Sequence, residues 1–134
     1  MKNEIYVLQG CLEDSDGHTY AAQHTWLVKA FKFLGEAENF KRQADYKRVQ
    51  LVEMGKEAFT EEFQDMNTLW GNWCTAQIER KKASRKEKAS IRVESELRLG
   101  RSMNPIDPHL VHKIDGEFDG LSDVSYFIET VPMR

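Results

Sequence analysis

The sequence predicts an α+β fold: a small antiparallel sheet of about three strands, one packed helix and an inserted, charged helical arm. Three observations predict it. Short runs rich in β-branched and aromatic residues stand near both ends of the chain. Two segments between them repeat apolar residues at helical spacing. A block of cations then follows, with no apolar stripe across 79–90. At 134 residues the chain is one domain in size, with the arm or insertion over about 60–101.

The first strand is expected over Glu4 to Gly10, where Ile5, Tyr6, Val7 and Leu8 form a short apolar run. Glu13-Asp14-Ser15-Asp16-Gly17 is a turn cluster, and a returning strand falls within His24 to Phe33. Gly35 is the expected N-cap of a helix over 36–53, whose stripe is Ala37, Phe40, Ala44 and Leu51. Lys41, Arg42, Lys47 and Arg48 fall outside that stripe and are expected in water. Gly55 ends the segment.

Thr60, followed by Glu61 and Glu62, is the expected N-cap of a second helix. Its stripe is Phe63, Met66, Trp70 and Trp73, with Leu69 beside it. Gly71 inside it marks close packing or a kink. The helical pattern continues through Ile78 into the basic block. Ile91, Val93, Leu97 and Leu99 fit a strand or a helix. Asn104-Pro105-Ile106-Asp107-Pro108 is a rigid break, because a residue before proline is driven out of the helical region. Asp115-Gly116 and Asp119-Gly120 are turns. Asp123 to Pro132 closes the chain as a strand, and apolar residues on both its faces suggest a place in the middle of the sheet.

Charge is unevenly distributed. The net charge is -3, yet residues 80–101 carry nine basic and three acidic side chains. The basic residues are Arg80, Lys81, Lys82, Arg85, Lys86, Lys88, Arg92, Arg98 and Arg101. Such a block is either a solvated helix face or a contact for an acidic partner. The acidic overall balance argues against a dedicated DNA-binding domain. Trp70 and Trp73 are either core or, if the arm projects, anchors of an interface rimmed by Arg80 to Lys88.

Other chemistry finds little support. Cys11, His18, His24, Cys74, His109 and His112 are possible metal ligands, but no CxxC or HExxH accompanies them, so no metal and no cofactor is expected. Asp14-Ser15-Asp16-Gly17 opens like a calcium loop but has Thr25 where the bidentate Glu belongs. A hairpin could bring Cys11 to His18 or His24 as a nucleophile–base pair, but no spacing enforces it. No phosphate-cradling glycine loop is present. No apolar run reaches the roughly 18 residues of a membrane span, and the N-terminus has no apolar signal region, so the cytoplasm is the expected location and the two cysteines are expected as free thiols.

Ile5-Tyr6-Val7-Leu8, the passage from Phe31 to Phe40 with Ala37-Glu38, and Ser125-Tyr126-Phe127-Ile128-Glu129 carry a resemblance. The layout of strand, strand, helix, inserted arm and last strand is similar to small accessory proteins of phages and mobile elements. Some members of such families bind and block host defence machinery, including CRISPR effector complexes. The resemblance covers about a third of the chain and assigns no residue a role. It implies a non-catalytic protein-binding inhibitor or adaptor working in a host cytoplasm. The charge map and the tryptophan pair, rather than the resemblance, give the expected partner as a protein with an acidic patch, met by Arg80, Lys81, Lys82, Arg85, Lys86, Lys88, Arg92, Trp70 and Trp73. The alternative is a nucleic-acid contact through 80–101, and a small enzyme ranks third.

Overall fold

The computed structural model describes residues 3–13 and 24–133. Its elements are β1 (Glu4–Leu12), β2 (Thr25–Phe31), α1 (Leu34–Met54), α2 (Lys56–Lys81), α3 (Arg85–Met103), α4 (Leu110–Lys113), a 3-10 turn (Phe118–Asp123) and β3 (Val124–Pro132). The architecture is α+β, with one three-stranded antiparallel sheet in the order β2-β1-β3. The acidic turn at 14–17 and His18 lie outside the described residues.

β1, not β3, is the central strand. β3 places Val124, Tyr126 and Ile128 toward the core, while Phe127 and Val131 remain 37% exposed. Its outer apolar residues pair across the ladder, Val131 with Ile5 and Phe127 with Gln9. Cross-strand pairing therefore accounts for apolar residues on both faces of an edge strand.

A register shift between Leu8 and Gln9 brings Trp26 opposite Gly10. A Cβ at Gly10 would stand 2.3 Å from the indole carbons, so only glycine lets Trp26 lie across the strand. α1 crosses the sheet and touches all three strands. Ala37, Ala44 and Leu51 are buried as the helical spacing predicts. Phe40 is half-buried, its ring 5.4 Å from Phe31, with Lys29 Nζ 5.2 Å above it. Partial burial lowers the expected cost of Phe40→Ala to about 1–3 kcal/mol, below the range for a fully enclosed aromatic. Urea unfolding of the variant measures it; a loss above that range would mean Phe40 is enclosed.

Three local expectations are corrected. α1 starts at Leu34, because the Ala37 amide already bonds to Phe33 O at 3.2 Å; Gly35 lies inside the first turn and is not the cap. α2 starts at Lys56, directly after Gly55, whose φ of 94° redirects the chain between the two helices. Thr60 lies inside α2, its hydroxyl donating to Lys56 O at 2.8 Å. Arg48 does not sit in water: it is half-buried, donates to Leu121 O at 2.9 Å and pairs with Asp45.

The Ile91-to-Leu99 series is helical and belongs to α3, with Ile91, Ser95, Leu99, Gly100 and Met103 buried. α2 and α3 form a long antiparallel hairpin. Its root joins the main core through Phe59, Leu99 and Met103. Gly100 lets Pro108 press against α3, since a Cβ there would stand 1.7 Å from Pro108 O. Gly71 has open space where its Cβ would be, so it serves no close packing.

Candidate interaction surface on the helical hairpin

The hairpin turn is built by its own sequence. Lys82 takes a left-handed conformation (φ 48°), and its amide bonds to Glu79 O while the Ala83 amide bonds to Ile78 O. This double closure is a Schellman motif, here completed without glycine. Ser84 then caps α3: its hydroxyl accepts from the Glu87 amide, and its own amide donates to the Glu87 carboxylate. That reciprocal bond holds the Glu87 carboxyl below its usual range. The helical pattern of 79–90 is therefore broken at 82–84 into two helices.

The turn concentrates charge. Arg80, Lys81, Lys82, Arg85, Lys86, Lys88 and Arg92 are all exposed around it. Among the described residues, the ion pairs are Arg48–Asp45, Lys56–Asp119 and Arg98–Glu94, and none involves these seven. Arg80 and Lys81 suit the negative C-terminal end of α2. Arg85 and Lys86 do not suit the positive N-terminal end of α3, where Glu87 is the acidic residue of the first turn. Like charge at that end costs stability and strengthens the positive field of the tip.

Counting from the buried Phe59, the helix rise carries Arg80 roughly 30 Å along α2. Between root and tip lies an aromatic shelf. Trp70 and Trp73 meet edge to face, 6.0 Å between ring centres. The Arg98 guanidinium carbon sits 4.4 Å from the Trp73 ring centre and 5.4 Å from that of Trp70. Glu94 holds Arg98 at 3.1 Å. Trp70 Nε1 donates to Ser102 Oγ at 3.0 Å, and Ser95 Oγ donates to Trp70 O at 2.8 Å. Both tryptophans are half-buried, so they serve the helix–helix contact and also present an edge to solvent. Beside them Trp73, Gln77, Lys81, Ile91 and Arg98 line a groove of about 560 Å³. All nine residues singled out in the sequence thus lie on one hairpin. Arg98 joins them as the cation that stacks on the shelf; its place within the basic block was the readable signal.

A second polar assembly is buried in the body. Asp107, fully enclosed, accepts from Trp26 Nε1 (3.0 and 3.2 Å to its two oxygens), from the Tyr126 hydroxyl (2.8 Å) and from the His109 amide (3.2 Å). Asn104 Oδ1 accepts from the Ile106 and Asp107 amides at 3.0 Å. Burial, and then the charge of Asp107, push the Tyr126 hydroxyl far above its ordinary value. Through these bonds the carboxylate ties the proline-flanked break to two strands of the sheet.

The remaining candidates are scattered. His109 precedes the short α4 and His112 lies within it, its Nε2 2.9 Å from Glu96 O. Among the described residues no three His, Cys, Asp or Glu side chains converge as metal ligands would. Cys11 is buried in β1 and Cys74 lies in α2, both free. Burial, and then Glu13, push the Cys11 thiol up, opposite to what a nucleophile needs. No described helix is long and apolar enough to cross a membrane. Comparison with known proteins found no matching family model, no matching curated protein and no matching solved structure.

Proposed function

We propose that this chain is a non-catalytic binding protein that presents the hairpin tip to a partner protein carrying an acidic patch. The observation that supports the reading is the tip itself. Seven exposed cations crowd a turn closed by backbone bonds on one side and a capping box on the other. Two of them oppose the dipole of α3, a local cost that folding does not require. Trp73 and Arg98, of the residue types that anchor interfaces, stand beside the tip. The resemblance to phage and mobile-element accessory proteins extends the proposal to an inhibitor of a host defence complex such as a CRISPR effector; that extension rests on the resemblance alone.

One observation favours a second reading, a nucleic-acid contact. The arm holds the tip roughly 30 Å from its root, several Debye lengths at physiological salt (about 8 Å each). The acidic body therefore does little to repel a phosphate backbone met at the tip. Fluorescence anisotropy with generic duplex DNA and single-stranded RNA near 0.15 M salt separates the two readings. The protein reading expects no sub-micromolar binding. It also expects one captured host protein to be lost when Arg80, Lys81, Arg85 and Lys86 are changed to Glu, and weakened about tenfold or more by Trp73→Ala. Sub-micromolar binding to any nucleic acid, falling with salt by nearly one log unit per neutralised phosphate, would replace the first reading with the second.

A further inference from the structure

One flank of α2, beside the face packed on the body and α3, carries a stripe that the fold leaves partly uncovered. Phe59, Glu62, Met66, Leu69, Trp73, Ala76 and Arg80 recur at alternating spacings of three and four, the 3.5-residue period of a coiled-coil seam. Phe59 closes the root of this seam in the core. Further out the seam opens: Leu69 is 52% exposed, Glu62, Ala76 and Arg80 are exposed, and Met66 and Trp73 are half-covered. Arg80 is held on the helix surface by its bond to Gln77, 2.9 Å.

The seam is polarised. Glu61, Glu62 and Asp65 lie near its root, and Arg80, Lys81 and Lys82 at its tip. Two copies laid antiparallel, centred level with Gly71, would place Leu69 against Trp73, Met66 against Ala76 and Glu62 against Arg80. Two-fold symmetry repeats each pair, so both ends join acid to base. A parallel pair would set Glu62 on Glu62 and Arg80 on Arg80, and is disfavoured by its own charge.

We infer that the occupant of this seam is a second copy of the chain, docked antiparallel along α2 through Leu69 and Trp73 and fixed in register by reciprocal Glu62–Arg80 pairs. The contact runs about 27 Å along each helix. It does not depend on the tip having a foreign partner, although such a partner would compete for Arg80 and Trp73.

Sedimentation of the full chain at about 50 mM salt, where screening is weak, tests this. The expected species is a dimer, twice the 15.6 kDa chain mass, that weakens as salt is raised. Leu69→Glu changes an exposed residue, so it should stay folded by circular dichroism and sediment as a monomer. Arg80→Glu alone should weaken the dimer about tenfold or more, and Glu62→Arg alone should do the same. The double swap Glu62→Arg with Arg80→Glu should restore it to within about threefold of the original. A chain that stays monomeric up to about 100 μM, a concentration at which even a weak contact populates dimer, would overturn the inference. So would a dimer indifferent to Leu69→Glu, or one that the double swap fails to restore.

Discussion

Asp107→Ala should lower the stability of the fold by about 3–5 kcal/mol, as loss of a buried hydrogen-bond network does. The carboxylate is the common acceptor for the Trp26 indole N–H, the Tyr126 hydroxyl and the His109 amide. Asp107 and the two aromatic side chains are buried. Removing the acceptor leaves three donors unpaired in a site with little access to water, at about 1–3 kcal/mol each before relaxation. Asp107→Asn keeps the shape and one acceptor oxygen, so it should lose less. Urea unfolding at neutral pH gives both values, and the Ala variant should melt roughly 10–20 °C lower for a chain of this size. A loss under about 1 kcal/mol would show that water takes the place of the carboxylate.

Phe59→Ala is expected to be comparably costly, about 3–5 kcal/mol, for a different reason. Phe59 is fully buried at the root of α2, its ring 5.8 Å from Phe118. It sits one turn after Gly55, where its amide bonds to Gly55 O at 3.0 Å. Truncation empties the place where the arm is fastened to the body. Beyond the global loss, amide exchange should quicken first in α2 near Phe59 and in the 3-10 turn. Uniform quickening with no such focus would mean that Phe59 is not the fastening point.

Which parts were legible in the sequence follows from how local their causes are. The strands, the buried face of α1 and the break at Asn104–Pro108 each rest on patterns a few residues long. The turn at 82–84 was also legible, because Ser84-Arg85-Lys86-Glu87 has the spacing of a capping box. The helical spacing on either side, taken alone, carries the helix through this turn instead. The placing of β3 failed because an edge strand with paired apolar residues on its outer face has the pattern of a buried one. Gly35 and Thr60 have suitable cap chemistry, yet both helices begin earlier, on backbone bonds that composition does not display. The Asp107 assembly was out of reach. Its partners Trp26 and Tyr126 stand 81 and 19 positions away, and no spacing joins them. The cations of the candidate surface were legible as a group because a run of like charge is local. Arg98 was legible as a cation but not as the lid of the tryptophan shelf.

The order β2-β1-β3 has a consequence for when this molecule can become itself. β1 gains its first neighbour almost at once, through a short reach of chain, but its second, β3, is the last element described. Glu4 pairs with Pro132, so the whole span between them must be made before the central strand is closed on both sides. The α2–α3 hairpin, held by near neighbours in sequence, can form well before that. During synthesis the chain therefore passes through an interval in which the arm is complete while one edge of β1 is open, ready to pair with whatever strand it meets. Val124 and Tyr126, the residues that close the core and complete the bonds to Asp107, arrive only at the end of that interval. Docking of the final strand is then the step expected to limit folding, and the period of greatest exposure to aggregation ends with it.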